Sequence, residues 1–250
     1  MRQYSIDARN IKNPIYPCPI KMGGKNANGQ MLSIGNYYLS LNGKPFFGIC
    51  GEAHFSRMDR ELWEDEIIKM KAGGLNIIAT YIFWIHHEEI EGTFDFSGNK
   101  DLRFFLELCK KNNMYVILRI GPFSHGECRN GGFPDWMYGQ PFDIRCDDPS
   151  YLFYTRRFYE QIYQQAKGLL FKDNGPVIGV QLENEHEHAS CPWEMTTENS
   201  KEWVVSGHDG KNHMNTLKQM ALEIGFDVPL YTATAWGGAC APEDTVFPLW

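Results

Sequence analysis

The 250-residue sequence has no apolar run long enough to cross a membrane. Its longest, Ile77 to Trp84 and Tyr115 to Ile120, are strand-length and well short of the ~18 residues a span needs. It has no cluster of Lys and Arg. The 24 basic residues stand against 31 acidic ones, a net charge of −7, which argues against nucleic acid or an anionic membrane surface as partner. It has no C-x-x-C pair, so neither a zinc ribbon nor a thioredoxin-type site is indicated. The seven cysteines (Cys18, Cys50, Cys109, Cys128, Cys146, Cys191, Cys240) are scattered and odd in number. They read as mostly reduced structural residues, with Cys50 and Cys109 acting as small hydrophobes. No G-x-S-x-G elbow supports a serine hydrolase. The N-terminus lacks the apolar core of a secretion signal, so the chain is expected to stay inside the cell or to have had its signal removed. Aromatics are plentiful: 16 Phe, 12 Tyr and 7 Trp exclude disorder as a whole-chain description.

Residues 1–35 are rich in Pro, Gly and Asn without a sustained period, and read as an irregular N-terminal extension. Two apolar runs around Asn42-Gly43 predict a hairpin. A repeating unit follows. Strands are expected at Phe46–Cys50, Ile77–Trp84, Tyr115–Leu118, Val177–Leu182 and Val228–Thr232. Between them lie amphipathic helices near 60–72, 101–111, 148–170 and 215–224. Asp148-Pro149 is a capping residue followed by proline at the first helical position. Short apolar strands alternating with helices predict a parallel sheet covered by helices, hence α/β. A dinucleotide-binding fold would want a Gly-rich loop after the first strand, and Cys50-Gly51-Glu52-Ala53-His54 is not one. Acidic, aromatic and His residues after strand ends instead fit the active face of a TIM (β/α)8 barrel.

The fourth strand carries the strongest chemical signal. It is wholly apolar until Gln181-Leu182-Glu183-Asn184-Glu185. Strict alternation would put Glu183 and Glu185 on one face. Two carboxylates and an amide at a barrel mouth are costly unless used or solvated.

Gly175 to Glu185 resembles the signature of glycoside hydrolase family 35, the β-galactosidase family. That signature runs Gly-Gly-Pro, two aliphatics, two variable positions, then Gln-x-Glu-Asn-Glu and an aromatic. The likeness extends, in the family's order, over roughly residues 38 to 236. It includes Gly51-Glu52-Ala53-His54-Phe55-Ser56-Arg57, Thr80-Tyr81-Ile82-Phe83-Trp84, Glu91 to Gly98, and Leu118-Arg119-Ile120-Gly121-Pro122 with Gly131-Gly132-Phe133-Pro134. The resemblance implies retaining hydrolysis of a terminal β-galactoside in a TIM barrel, without a cofactor or metal. By motif position Glu185 is the acid/base, and Asn184 holds the sugar's 2-hydroxyl. Tyr81 and Glu127 match positions that bind galactose hydroxyls, and Glu183 supports the cluster. Trp84, Trp136 and Trp236 follow barrel strands, where a ring either stacks on a sugar or packs in the core or rim.

This chain departs from the pattern in places. Asn174 replaces the first Gly, and His186 the final aromatic. Ser124-His125-Gly126-Glu127-Cys128 keeps the Glu but replaces the usual Ile-Cys-Ala-Glu-Trp. His125 and Gly126 therefore stand beside the sugar position and leave its identity open. Residues 186–210 read as an insertion atypical of the family, opening with His186-Glu187-His188. These, with Glu185 and Cys191, are read as a polar loop at the cleft rim rather than a metal site. His86-His87 are read as rim or structural.

At about 40 residues per unit, eight strands would take roughly 330 residues. Residues 36–250 are therefore expected to hold about five of eight strands, the N-terminal part of a catalytic barrel. The resemblance puts the nucleophile, a Glu closing the seventh strand, beyond Trp250, and Glu243 and Asp244 match no nucleophile motif. This stretch alone is then expected to be inactive. The alternatives are a carbohydrate-binding or inactive barrel protein, or a β-glycosidase for another sugar. Nothing in the sequence sets an oligomeric state.

Overall fold

The structure, a computed structural model, describes residue 5 and residues 14–18, 23–186, 210–233 and 246–249. Four short strands, β1 (Gly23–Lys25), β2 (Met31–Ile34), β3 (Leu39–Leu41) and β4 (Lys44–Phe46), form an antiparallel sheet in sequential order. Asn42 and Gly43 take the two left-handed positions of the β3–β4 turn (φ 54° and 73°), which sets Leu39 opposite Phe46. Residues 23–34, expected to be irregular, thus supply two strands. Each is only three or four residues long, too short for a periodic signal.

The second sheet alternates with helices: β5 (Cys50–Glu52), α1 (Trp63–Ala72), β6 (Ile77–Tyr81), the single turn α2 (Trp84–His87), α3 (Leu102–Lys111), β7 (Tyr115–Gly121), α4 (Pro149–Ala166), β8 (Val177–Asn184), α5 (Gly210–Ile224), β9 (Leu230–Ala233) and β10 (Phe247–Leu249). Its six strands are parallel and run in chain order from β5 to β10. This is a TIM-barrel arrangement, with a sixth strand beyond the five expected. The first barrel strand is shifted, too. Phe46 ends the antiparallel sheet and β5 starts at Cys50, so one apolar run serves two sheets.

The helices form where sequence chemistry places them. Asp101 accepts the Phe104 N–H at 3.0 Å to cap α3, and Asp148 accepts those of Ser150 (2.8 Å) and Tyr151 (3.3 Å) at the start of α4. Acids fill the first turn of α1 and lysines its last, complementing the helix dipole, before Gly74 (φ 92°) turns the chain. Each helix buries one stripe: Trp63 and Ile67 with the partly buried Met70 on α1, Leu102, Phe105, Leu106 and Cys109 on α3, Phe158, Ile162 and Ala166 on α4. They pack on the outward residues Ile78, Val116, Leu118, Val180 and Leu182 of the strands. Each large apolar side chain so buried contributes ~1.5–3 kcal/mol.

The inward residues behave differently at the two ends of the sheet. Ile77, Ile117 and Ile178 join Leu32 and Phe171 in a second cluster, flanked by Phe46 and Tyr115, whose rings meet edge-on at 5.6 Å. The antiparallel sheet therefore plugs the N-terminal end of the barrel, and the loop before β8 ties it down. The Ala27 and Asn28 N–H groups donate to the Lys172 carbonyl (3.1 Å) and Asn174 Oδ1 (2.9 Å). The C-terminal end is left open. Among the described residues, no helix is long and apolar enough to cross a membrane.

Candidate active site

At the open end, parallel pairing carries Tyr81 of β6, Arg119 of β7 and Gln181 of β8 into one row. Tyr81 is the next inward residue after Ile77 and Ala79, and Arg119 the next after Tyr115 and Ile117. Arg119 organises this row. Its Nε donates to Gln181 Oε1 (2.8 Å), Nη2 to Asn184 Oδ1 (2.8 Å) and Nη1 to Glu52, while its guanidinium lies 3.7 Å over the Tyr81 ring. Tyr81 Oη (3.0 Å) and Gln181 Nε2 (3.1 Å) also donate to Asn184 Oδ1. Three donors on one oxygen fix the Asn184 amide orientation, and no described residue bonds its Nδ2. Burial pushes the Tyr81 phenol well above its ordinary pKa, so it remains a donor.

The end of β8 departs from strand geometry. Glu183 and Glu185 both take left-handed backbone (φ 56° and 49°), and the register against β9 shifts between Gln181 and Asn184. Alternation therefore fails, and the two carboxylates do not share a face. Glu183 is fully buried behind the cleft, where Arg145 Nε (3.1 Å) and Nη2 (2.7 Å) grip it from two sides. The Glu185 side chain is 30% exposed and lines the cleft. Glu183 has the supporting place expected of it, through an arginine the sequence did not flag.

The loop after β7 forms the facing wall. His125, Gly126 and Glu127 are successive left-handed residues (φ 59°, 51°, 47°). The N–H groups of Ser124 and His125 converge on the Gly131 carbonyl, and Arg57 donates to the carbonyls of Gly126 (2.9 Å) and Glu127 (3.3 Å). A Cβ on Gly126 would lie 2.8 Å from the Phe83 ring and 3.1 Å from that of Tyr81, so only glycine lets the loop come this close. His125 Nδ1 reaches 3.3 Å from Glu185 Oε2. His54 closes the near side, where its Nδ1 accepts the Tyr81 N–H at 3.4 Å. Burial lowers its pKa; nearby Glu52 opposes this, while Arg57 and Arg119 add to it.

The cleft so formed has a volume of about 570 Å³, within the range of small-molecule sites. Tyr81, His125, Gly126, Glu127, Asn184 and Glu185 all line it, together with Glu52, His54, Arg119 and Gln181, which the sequence showed within motifs but to which it gave no role. A signal for two of these existed: Arg119 and Gln181 are polar residues in otherwise apolar strands. Arg145 lies in an irregular segment and offered none. Cys50 is exposed on the cleft wall instead of packing as a hydrophobe; Cys18, Cys109, Cys128 and Cys146 are also free thiols.

Trp84 is core, stacked on Phe158 at 4.6 Å, and both Trp84 and Trp136 donate to Glu88 (2.7 Å to its carboxylate, 2.9 Å to its carbonyl). Neither lines the cleft. His87 is buried against Phe96, and Ser56 Oγ bonds the His86 ring at 2.9 Å. His186 is also buried, its Nε2 3.2 Å from the Arg145 carbonyl, and not at the cleft rim. Glu187, His188, Cys191, Trp236, Cys240, Glu243, Asp244 and Trp250 lie outside the described residues. Among the described residues, no group of three or more His, Cys, Asp or Glu could hold a metal ion.

Comparison with known proteins accords with this architecture. A β-galactosidase of Xanthomonas manihotis is 36% identical over 169 residues, 67% of this chain and 28% of that protein. The Homo sapiens β-galactosidase is 38% identical over 167 residues, 66% of this chain and 25% of its own. The chain thus spans about a quarter of the length of the curated relatives it matches. In fold alone it is similar to an endo-1,4-β-mannanase of Rhizomucor miehei (TM-score 0.54, 12% identity, covering 80% of this chain and 60% of that one). The profile described as "Glycosyl hydrolases family 35" matches residues 38–246, and the chain belongs to that family.

Proposed function

We propose that this chain carries the acid/base half of a retaining exo-β-galactosidase that removes terminal β-linked galactose from oligo- or polysaccharides. The observation that supports it is the convergence of Tyr81, Glu127, Asn184 and Glu185, distant in sequence, on one cleft at the strand C-termini. In this reading the galactose sits among them. Glu185 protonates the departing glycosidic oxygen, then deprotonates the water that releases the sugar. Asn184, its carbonyl already saturated, offers its amide hydrogens to the 2-hydroxyl, a contact that strengthens toward the oxocarbenium-like transition state. Arg119 and Tyr81 hold that amide. The nucleophile, about 5–5.5 Å from the acid/base in retaining enzymes, comes from a strand other than the six described, so the 250 residues alone bind but do not turn over.

Titration of the chain with D-galactose and D-glucose, beside assays on aryl β-galactoside and β-glucoside, tests this. Selective galactose binding without turnover is the expected result. Turnover by these residues that Glu185→Gln abolishes would overturn the missing nucleophile. Absence of galactose binding would overturn the substrate. A preference for glucose would favour a second reading, a related β-glycosidase. That reading draws on His125 and Gly126, where the family pattern has Cys and Ala.

A further inference from the structure

Arg145 does not line the cleft, yet it holds both the Glu183 carboxylate and the Asn184 backbone behind it. Its guanidinium is fully buried. It holds both Glu183 carboxylate oxygens, and its Nη2 also donates to the Asn184 carbonyl at 3.1 Å. Glu183 Oε2 in turn accepts the Asn184 N–H at 2.9 Å. The peptide groups on both sides of Asn184 are therefore tied to one ion pair. On its other face the guanidinium lies 3.8 Å over the Phe123 ring, and Phe123 leads into the loop that presents His125 and Glu127. One cation thus contacts both walls of the cleft from behind. Arg145 is itself left-handed (φ 59°), as are Glu183 and Glu185. Such backbone persists only where its surroundings over-determine it.

We propose that Arg145 is the positioning residue of this site: it holds the Glu183-Asn184-Glu185 turn in its left-handed shape and so aims the Asn184 amide and the Glu185 carboxyl into the cleft together. The proposal rests on the roles given above to Asn184 and Glu185, while the contacts behind it involve no ligand. An arginine suits the task because its planar fork reaches two carboxylate oxygens and a carbonyl at once, which a lysine does not.

The test separates folding from aiming. Arg145→Met alone strands a buried carboxylate, so it is paired with Glu183→Leu, since a buried ion pair is often replaced by apolar residues without loss of the fold. The double variant is expected to melt close to wild type but to bind D-galactose about tenfold more weakly or worse. Its Asn184 side-chain amide, followed by ¹⁵N NMR and assigned with Asn184→Asp, is expected to lose its distinct shift. Arg145→Lys, which keeps the charge without the fork, should fall between the two. A double variant that binds within twofold of wild type, with an unchanged Asn184 amide, overturns the proposal. One that does not fold also overturns it, because the pair is then a folding element. Failure of the wild type to bind galactose would refute the substrate reading, leaving the Asn184 amide to decide on Arg145.

Discussion

The two ends of the strands β6, β7 and β8 are built on opposite rules. At the floor, inward residues are apolar (Ile77, Ile117 and Ile178, with Tyr115 beside them), and an antiparallel sheet covers them. At the mouth, inward residues are Tyr81, Arg119 and Gln181, and five non-glycine residues of the cleft and its backing are left-handed: His125, Glu127, Arg145, Glu183 and Glu185. The floor holds itself by excluding water, which asks only for apolar volume. The mouth must expose charge and still keep its side chains aimed, which needs directional partners and stored strain. Stability and site geometry are therefore separable along one strand, within ten residues of β7 and β8.

That separation can be broken. The largest effect is expected at the mouth's buried pair: Glu183→Ala leaves Arg145 without its carboxylate and should cost ~3–5 kcal/mol in denaturant unfolding. Equal stability to wild type would show that the pair is solvated. Next comes the floor, where Ile178→Ala should cost about 3 kcal/mol. Its galactose affinity should stay as in wild type, and a matching loss of affinity would dissolve the distinction between the ends.

The third contrast is between two histidines packed near Phe83 and Phe55. Burial holds His87 at a pKa of about 4, whereas His54 borders the cleft. The unfolded chain takes up a proton near pH 6.5 that folded His87 refuses. Its contribution is thus complete above that pH and lost as pH falls toward 4. At pH 5 wild type should have lost about 2 kcal/mol more than His87→Phe, relative to pH 7. Equal losses would mean that His87 is not held neutral. The smallest effect is Gly126→Ala, which places a methyl on a left-handed residue against Phe83 and Tyr81. It should cost about 1–2 kcal/mol and lower galactose affinity, since Tyr81 must shift; unchanged affinity would remove the loop from the site.

Much of this was legible without coordinates, for a physical reason. Trp63, Ile67, Phe105, Phe158 and Ile162 recur at helical spacing because a surface helix buries one stripe, and a stripe is a pattern in sequence. The apolar strands β6, β7 and β8 read clearly because both of their faces are covered. The strands β1 and β2 did not, being too short to show a period. Nor did the boundary at Phe46, where a hairpin and a barrel strand share one run. Tyr81, Asn184 and Glu185 were visible through a motif, but the opposite fates of Glu183 and Glu185 were not, since alternation assumes regular backbone and both residues are left-handed.

The sequence by itself determined the α/β alternation, the helix cap at Asp148, and which residue types would crowd the strand ends. These depend on neighbours within one turn or one pleat. Only the tertiary structure decided that Arg145 would reach Glu183 across 38 positions, that Arg119 would bind Asn184 across 65, and that His125 would face Glu185. Those pairings depend on the register of parallel strands and on loops bent through left-handed backbone, and neither leaves a local trace in the chain.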